Sequence, residues 1–121
     1  MKVLVVEDDA DQLAVRCMLL ENSGFETVAA AEALSAIKLA IEHQPQCAVV
    51  DLRLPTEEIG LRLIRELKGL NPSMQMVVLT GMNSERVKRR PEADLMDQIL
   101  AKGTSAASLI QVLKAFGPGQ A

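Results

Sequence analysis

The chain has 121 residues, 49% of them hydrophobic and 24% charged, so it can bury one core and is too short for two domains of ordinary size. Aromatic residues make up only 2% and the net charge is −3, which disfavours a nucleic-acid surface built on stacking and positive charge. No apolar run approaches the roughly 20 residues that span a bilayer, and no signal-like leader precedes the first apolar run, so we expect a cytoplasmic protein without a membrane partner.

The first half of the chain predicts two strands, each followed by a helix. Residues 2–6 are almost continuously apolar, as is typical of a strand buried on both faces of a parallel sheet, and residues 25–29 are more mixed, which predicts a strand nearer an edge. For the first helix, Asp9 or Asp11 is the expected N-cap and Gly24 the expected end. Apolar residues recur at helical spacing in both helices, at Leu13, Cys17 and Leu20 and again at Leu34, Ile37 and Ile41.

The second half repeats this alternation three times. Residues 47–50 and 76–79 predict buried strands, and residues 98–101 predict a short one. The last helix is expected to begin with Thr104 or Ser105 as its N-cap. Apolar spacing supports the third and fifth helices, at Leu61, Ile64 and Leu67 and at Leu109, Leu113 and Phe116.

Pro91 interrupts the helical stretch after the fourth strand. Because proline inside a helix costs about 3 kcal/mol or more, we predict a short or irregular fourth helix over roughly residues 84–90. The basic residues of this stretch are interpreted as solvated helix surface, with a docking site for an acidic partner as the alternative. They are Arg86, Lys88, Arg89 and Arg90.

Five strands that alternate with five helices predict a three-layer, doubly wound α/β fold with a parallel sheet. Sheets of this kind bind ligands beyond the carboxyl ends of their strands, where the strand order reverses. We expect one domain over residues 1–116, and we interpret residues 117–121 as a C-terminal tail or linker stub.

Polar residues stand at the carboxyl ends of four predicted strands. Glu7 and Asp8 follow the first, Asp51 the third, Thr80 the fourth and Lys102 the fifth. Several carboxylates in one place need a counter-charge, and Mg²⁺ prefers such oxygen ligands. Asp51 is then a candidate nucleophile that forms an acyl phosphate, with Lys102 and Thr80 as ligands of the phosphoryl oxygens.

Each of these residues also has an ordinary structural interpretation. Glu7 and Asp8 alone would be loop acids, Asp51 and Thr80 turn residues, and Lys102 a solvated surface lysine. Their conjunction at successive strand ends favours a functional site.

These residues resemble the receiver domain of bacterial two-component response regulators, over nearly the whole chain. Residues 5–9 (VVEDD) resemble the acidic signature after the family's first strand, and residues 49–55 (VVDLRLP) resemble its phosphoacceptor strand and loop. Residues 78–81 (VLTG) and 100–102 (LAK) resemble the segments that carry the family's hydroxyl and lysine. The resemblance implies a flavodoxin-like strand order of 2-1-3-4-5 and a signalling domain rather than an enzyme.

The resemblance also implies the chemistry and the partners. Asp51 would take a phosphoryl group from a sensor histidine kinase or a histidine phosphotransfer protein, in a phosphorelay. Asp8, Asp51 and the backbone carbonyl of Arg53 would bind Mg²⁺ directly, and Glu7 would bind it through water. The family hydrolyses its own phosphoaspartate slowly. An output partner of unknown identity and a homodimer are implied, whereas binding to nucleic acid would require a further domain.

Several positions depart from the family pattern, mostly on the side that transmits the signal. Gly103 stands where proline usually follows the lysine, and Ile99 replaces a rotating aromatic side chain. Residues 55–60 are interpreted as a loop, one residue longer than usual, that carries two glutamates. We therefore predict a phosphorylated domain whose signal leaves through a non-standard surface. Arg53 and Met82 occupy positions that flank attacking water in the family, which predicts slow self-dephosphorylation.

Three alternatives remain open on the sequence. A degenerate receiver would act as a phosphorylation-independent interaction module. A phosphohydrolase of the haloacid dehalogenase type would need a second aspartate where Arg53 stands. A flavin- or nucleotide-binding domain would need a phosphate-binding glycine loop after the first strand, which the sequence lacks.

Overall fold

The computed structural model describes residues 1–81 and 84–116, and within them the chain has the predicted three-layer α/β architecture. Five parallel strands lie in the order β2-β1-β3-β4-β5, which confirms the order 2-1-3-4-5. The strands are β1 (Lys2–Val6), β2 (Glu26–Ala30), β3 (Cys47–Asp51), β4 (Gln75–Thr80) and β5 (Gln98–Ala101). The helices are α1 (Ala10–Asn22), α2 (Ala33–His43), α3 (Glu57–Leu70), α4 (Ser84–Lys88) and α5 (Ala106–Ala115), and a 3-10 helix (Pro91–Leu95) lies between α4 and β5.

The sheet separates two hydrophobic cores because successive side chains of a strand point to opposite faces. In β1, Val3 and Val5 pack in a core with α1 and α5, whereas Leu4 and Val6 pack in a core with α2, α3 and α4. The central strands β1, β3 and β4 are buried along almost their whole length, and β2 and β5 form the edges. The predicted edge position of residues 25–29 is therefore confirmed.

The fourth helix is short, as Pro91 predicted. α4 has five residues, of which Val87 is fully buried. Pro91 then begins the 3-10 helix, where its missing N–H has no intrahelical partner to lose. The predicted helix over residues 84–90 was thus two residues too long, and the 3-10 helix was not anticipated.

The start of α3 differs from the sequence interpretation. Residues 55–60 were interpreted as a loop, but α3 already begins at Glu57, with the Thr56 hydroxyl accepting a hydrogen bond from the Ile59 N–H at 3.3 Å. Gly60 lies inside α3 against β3, where an added Cβ would come within 1.7 Å of the Leu52 carbonyl oxygen. Only glycine fits at this close approach, which fixes the start of α3 beside the end of β3.

The structure shows which of the alternative N-cap residues is used in α1 and in α5. Asp9, rather than Asp11, caps α1 and accepts the Gln12 N–H at 3.0 Å. Ser105, rather than Thr104, caps α5. No helix within residues 1–81 and 84–116 is both long and apolar enough to cross a membrane. The predicted tail, residues 117–121, and Met82 lie outside the described residues.

Candidate functional site

The parallel register brings the predicted polar residues to one edge of the sheet. Asp51 ends β3 and pairs with Leu79 of β4, whereas Thr80 pairs with Ala101, directly before Lys102. Glu7 follows β1, the neighbour of β3 on its other side. Glu7, Asp51 and Thr80 are 0%, 2% and 6% exposed, so these polar side chains are held inside the protein.

Three carboxylates of this edge form a compact acidic cluster. Glu7, Asp8 and Asp51 each offer an oxygen atom, and these atoms lie within 4.8 Å of one another. Asp8 is exposed and the other two are buried, so a cation would be reached from solvent on the Asp8 side. This donor set, all carboxylate oxygens with an open side, fits a hard divalent cation that keeps some of its water.

Two basic side chains partly neutralise the cluster. The Lys102 Nζ lies 2.7 Å from Asp51 Oδ2 and 3.6 Å from Glu7 Oε1. The Arg16 Nη1 donates to Glu7 Oε1 at 3.1 Å, and the Asp9 N–H donates to Glu7 Oε2 at 3.1 Å. Both oxygens of Glu7 are therefore occupied by protein donors, which holds this buried carboxylate in one position.

Arg16 was not anticipated from the sequence, although a signal for it exists. Position 16 lies three residues after Leu13 and four before Leu20, so it shares the buried face of α1. A charged residue on such a face needs a partner of opposite charge, and Glu7 is that partner.

The pKa values within the cluster diverge. Burial raises the pKa of Asp51, and the neighbouring Glu7 carboxylate adds to this against the opposing ammonium of Lys102. Burial acts in the same direction on Glu7, but the Asp9 N–H, the Arg16 guanidinium, Asp51 and Lys102 together outweigh it and leave the pKa of Glu7 below its ordinary value. For Lys102, burial is outweighed by Asp51 and Glu7, so its pKa is raised. Asp51 is thus the acid whose charge is least favoured, and a bound cation would favour its ionised form.

The loops beside Asp51 are compatible with the predicted roles. The Arg53 N–H donates to Asp51 Oδ1 at 3.2 Å, and the Lys102 N–H donates to the Thr80 carbonyl at 2.8 Å. Gly103 does not displace Lys102 from the cluster, and a Cβ added at Gly103 would contact nothing within 4 Å. The metal-binding role of the Arg53 carbonyl stays a prediction.

A cavity of about 400 Å³ opens beside Asp51 at the ends of β3 and β4. Its walls include Asp51, Arg53, Glu57, Thr80, Arg86 and Lys102. The cavity therefore combines predicted site residues with Glu57 and Arg86, which the sequence did not assign to the site.

Ion pairs join α4 and the residues just after it to the start of α3, and one of them lies in the wall of this cavity. Arg86 binds Glu57 through two hydrogen bonds, of 2.9 and 2.5 Å, and Arg90 binds Glu58 at 3.1 Å. Arg90 also lies 3.6 Å from Glu92. Arg86, Lys88 and Arg89 are exposed, in agreement with a solvated surface, and Arg86 and Arg90 in addition form ion pairs with glutamates of α3. A docking site for an acidic partner stays a prediction.

Comparison with known proteins identifies relatives of one kind. The family model of the response regulator receiver domain matches residues 3–114. The transcriptional regulatory protein PrrA of Mycobacterium tuberculosis is 30% identical over 115 residues, 95% of this chain and 49% of PrrA. The virulence transcriptional regulatory protein PhoP of Salmonella typhimurium is 42% identical over 81 residues, 67% of this chain and 36% of PhoP.

The solved structures agree in fold. A CheY-like response regulator receiver domain from Methylobacillus flagellatus has a TM-score of 0.85 and 25% identity, over 97% of this chain and 98% of that chain. This chain thus spans a whole receiver domain of known structure, and half or less of the length of the two regulators.

Proposed function

This chain belongs to the response regulator receiver domain family, and we propose that it accepts a phosphoryl group on Asp51 in a reaction that needs Mg²⁺. The observation that carries the proposal is the position of Asp51, which lies 2.7 Å from Lys102 and within a cluster of three carboxylates. The degenerate, phosphorylation-independent alternative is not favoured, because no member of the acidic cluster and neither of its partners, Thr80 and Lys102, is missing.

The donor is a phosphohistidine of a sensor histidine kinase or of a histidine phosphotransfer protein. An oxygen of Asp51 attacks the phosphorus, the P–O bond forms, and the P–N bond breaks with its electron pair left on the imidazole nitrogen. Lys102 transfers its charge-assisted hydrogen bond from Asp51 to a phosphoryl oxygen, and Thr80 donates its hydroxyl to another. Glu7, held by Arg16, keeps the negative charge that attracts the cation.

Glu7, Asp8, Asp51 and the Arg53 carbonyl are the proposed ligands of Mg²⁺. When bound, the ion neutralises the charge that develops on the transferred phosphoryl group. The exposed position of Asp8 would leave a bound ion accessible to water, and Glu7, whose two oxygens already accept hydrogen bonds from the protein, would act on the ion through water.

The role of the whole protein follows from the relatives by analogy. PrrA and PhoP are named as transcriptional regulators, and this chain covers about half of one and a third of the other. We expect the domain to act in the cytoplasm, to carry no enzymatic activity beyond slow loss of its own phosphoryl group, and to pass its state to an output partner or a second copy. Nucleic acid would be bound by a further domain.

The test is to incubate the protein with Mg²⁺ and acetyl phosphate and to record its intact mass beside Asp51→Asn. A gain of one phosphoryl group on the wild type alone, abolished by a chelator, is the expected result. A folded wild type that gains no mass from acetyl phosphate or from a phosphorylated histidine kinase would refute the proposal.

A further inference from the structure

The α3–α4 ion pair lies in the wall of the phosphoacceptor cavity, and its exposure suggests that it can be exchanged. Arg86 and Glu57 both line the cavity of about 400 Å³ that contains Asp51. The Arg86 side chain is 53% exposed and that of Glu57 is 23% exposed. Ion pairs this accessible to water contribute little to stability, so the Arg86 guanidinium can leave Glu57 at small cost.

Phosphorylation would change the charge of this cavity on one side only. A phosphoryl group on Asp51 adds a charge of about −1.5 to −2 and three acceptor oxygens. It repels the carboxylate of Glu57 and attracts the guanidinium of Arg86, which pairs with planar sets of phosphate oxygens through two parallel hydrogen bonds. Arg86 and Asp51 line the same cavity, so the phosphoryl group would enter a space that the Arg86 side chain already borders.

An exchange of partners by Arg86 would affect how α4 is held against α3. α4 has only five residues, and Val87 is its buried one. Ion pairs that the structure describes between this region and α3 include the Arg86–Glu57 pair and, just beyond α4, the Arg90–Glu58 pair. Exchange of the first pair therefore removes one direct link between α4 and the start of α3.

We propose that Arg86 binds the phosphoryl group of phosphorylated Asp51, and that Glu57 pairs with Arg86 before phosphorylation. On phosphorylation of Asp51, Arg86 exchanges its carboxylate partner for the phosphoryl group, and α4 separates from the start of α3. The inference rests on the proposed phosphorylation of Asp51. It also supplies a route for the signal that does not need an aromatic side chain at position 99, where Ile99 stands.

The test uses one substitution at each residue of the Arg86–Glu57 pair, and the two substitutions are expected to change binding of a phosphoryl mimic in opposite directions. Beryllium fluoride serves as the phosphoryl mimic at saturating Mg²⁺, and its binding is followed by fluorine NMR because the chain has no Trp or Tyr for fluorescence. Arg86→Gln is expected to weaken binding by about threefold to tenfold, since one charge-assisted contact is lost. Glu57→Gln is expected to strengthen binding by about twofold to fivefold, since the Glu57 charge no longer competes with the phosphoryl group for Arg86. Arg89 is an exposed arginine just after α4, so Arg89→Gln is the matched control. It is expected to change binding less than twofold.

Each other outcome overturns the inference. Equal weakening by Arg86→Gln and Glu57→Gln would mean that the pair only supports the fold, and unchanged binding in Arg86→Gln would mean that Arg86 does not contact the phosphoryl group. Thermal unfolding of each variant shows whether weaker binding of beryllium fluoride is caused by loss of folding. If Arg86→Gln does not fold, Glu57→Gln still tests the inference, because it must bind beryllium fluoride more tightly than the wild type. A wild type that gains no phosphoryl mass and binds no beryllium fluoride would instead refute the proposed function itself.

Discussion

Replacement of Arg16 by methionine tests whether this residue supports the acidic cluster. Arg16→Met keeps most of the side-chain length and removes the charge that lies 3.1 Å from the fully buried Glu7. Breaking a buried ion pair typically costs about 3–5 kcal/mol when the remaining charge is left alone. Here the Asp9 N–H and the Lys102 ammonium stay near Glu7, so we expect a loss of about 2 kcal/mol.

The expected loss depends on pH and on the metal. The pKa of Glu7 is depressed in the folded protein, so its ionised form stabilises the fold above its unfolded pKa, and this contribution is lost as the pH falls through the lower folded pKa. Arg16→Met should weaken this dependence. Because the variant leaves the cluster more negative, we also expect Mg²⁺ to stabilise it more than the wild type.

The assay is urea unfolding followed by far-ultraviolet circular dichroism, with and without Mg²⁺. Arg62→Met, at an exposed position of α3, is the control for replacing a helical arginine. If Arg16→Met loses less than about 0.5 kcal/mol, as is usual for surface substitutions, or responds to Mg²⁺ no more than the wild type, then Arg16 does not compensate the charge of Glu7.

Three further predictions concern packing, ionisation and metal binding. Gly60→Ala should lower the free energy of unfolding by about 1–3 kcal/mol, because its Cβ would lie 1.7 Å from a backbone oxygen. Gly69→Ala on the same helix, where a Cβ meets nothing within 4 Å, should raise it by about 0.5–1 kcal/mol. Both are measured by urea unfolding. Burial raises the pKa of Cys47 to about 12, so the fold should lose up to about 4 kcal/mol as the pH rises from 9 to 12, and Cys47→Ala should show a flatter pH dependence of stability. Asp8→Asn should weaken Mg²⁺ binding about tenfold or more in calorimetric titration, and Asp11→Asn should not.

Specific results would contradict these expectations. Equal stabilities of the two glycine variants would mean that α3 can move away from β3 freely. Parallel pH curves for Cys47→Ala and the wild type would mean that the thiol is not kept neutral by burial. Equal Mg²⁺ affinities of Asp8→Asn and the wild type would remove Asp8 from the ligand set.

The parts of the structure that depend on local pattern were predictable from the sequence. Apolar runs identified all five strands, helical spacing and caps identified the helices, and Pro91 identified the short α4. The site was predictable in the same way, because the ends of parallel strands must meet at one edge. Asp51, Glu7 and Lys102 could therefore be brought together before any coordinates were known.

The remainder depends on contacts between distant elements. Glu57 was assigned to a loop although Thr56 followed by two glutamates is a local helix-start signal, which the sequence analysis did not use. The packing of Gly60 against Leu52 is a contact between elements and has no such local signal. The partners of Arg86 and Arg90 lie 29 and 32 positions away in the sequence, so pairing emerges only when α3 and α4 are placed side by side. Charge pairs of this kind have no periodicity from which they could be inferred.

The alternation of side chains across the sheet has a further consequence for how a signal could travel. Glu7 and Asp51 continue the series of odd-numbered residues that face α1 and α5, whereas Thr80 continues the even-numbered series that faces α3 and α4. Within the described residues, the interior of the sheet is packed by apolar side chains, and the buried polar side chains Glu7, Asp51 and Thr80 stand at the strand ends. Polar side chains from both layers line the carboxyl edge of the sheet, so this edge offers a polar connection between Asp51 and the α4 side of the domain.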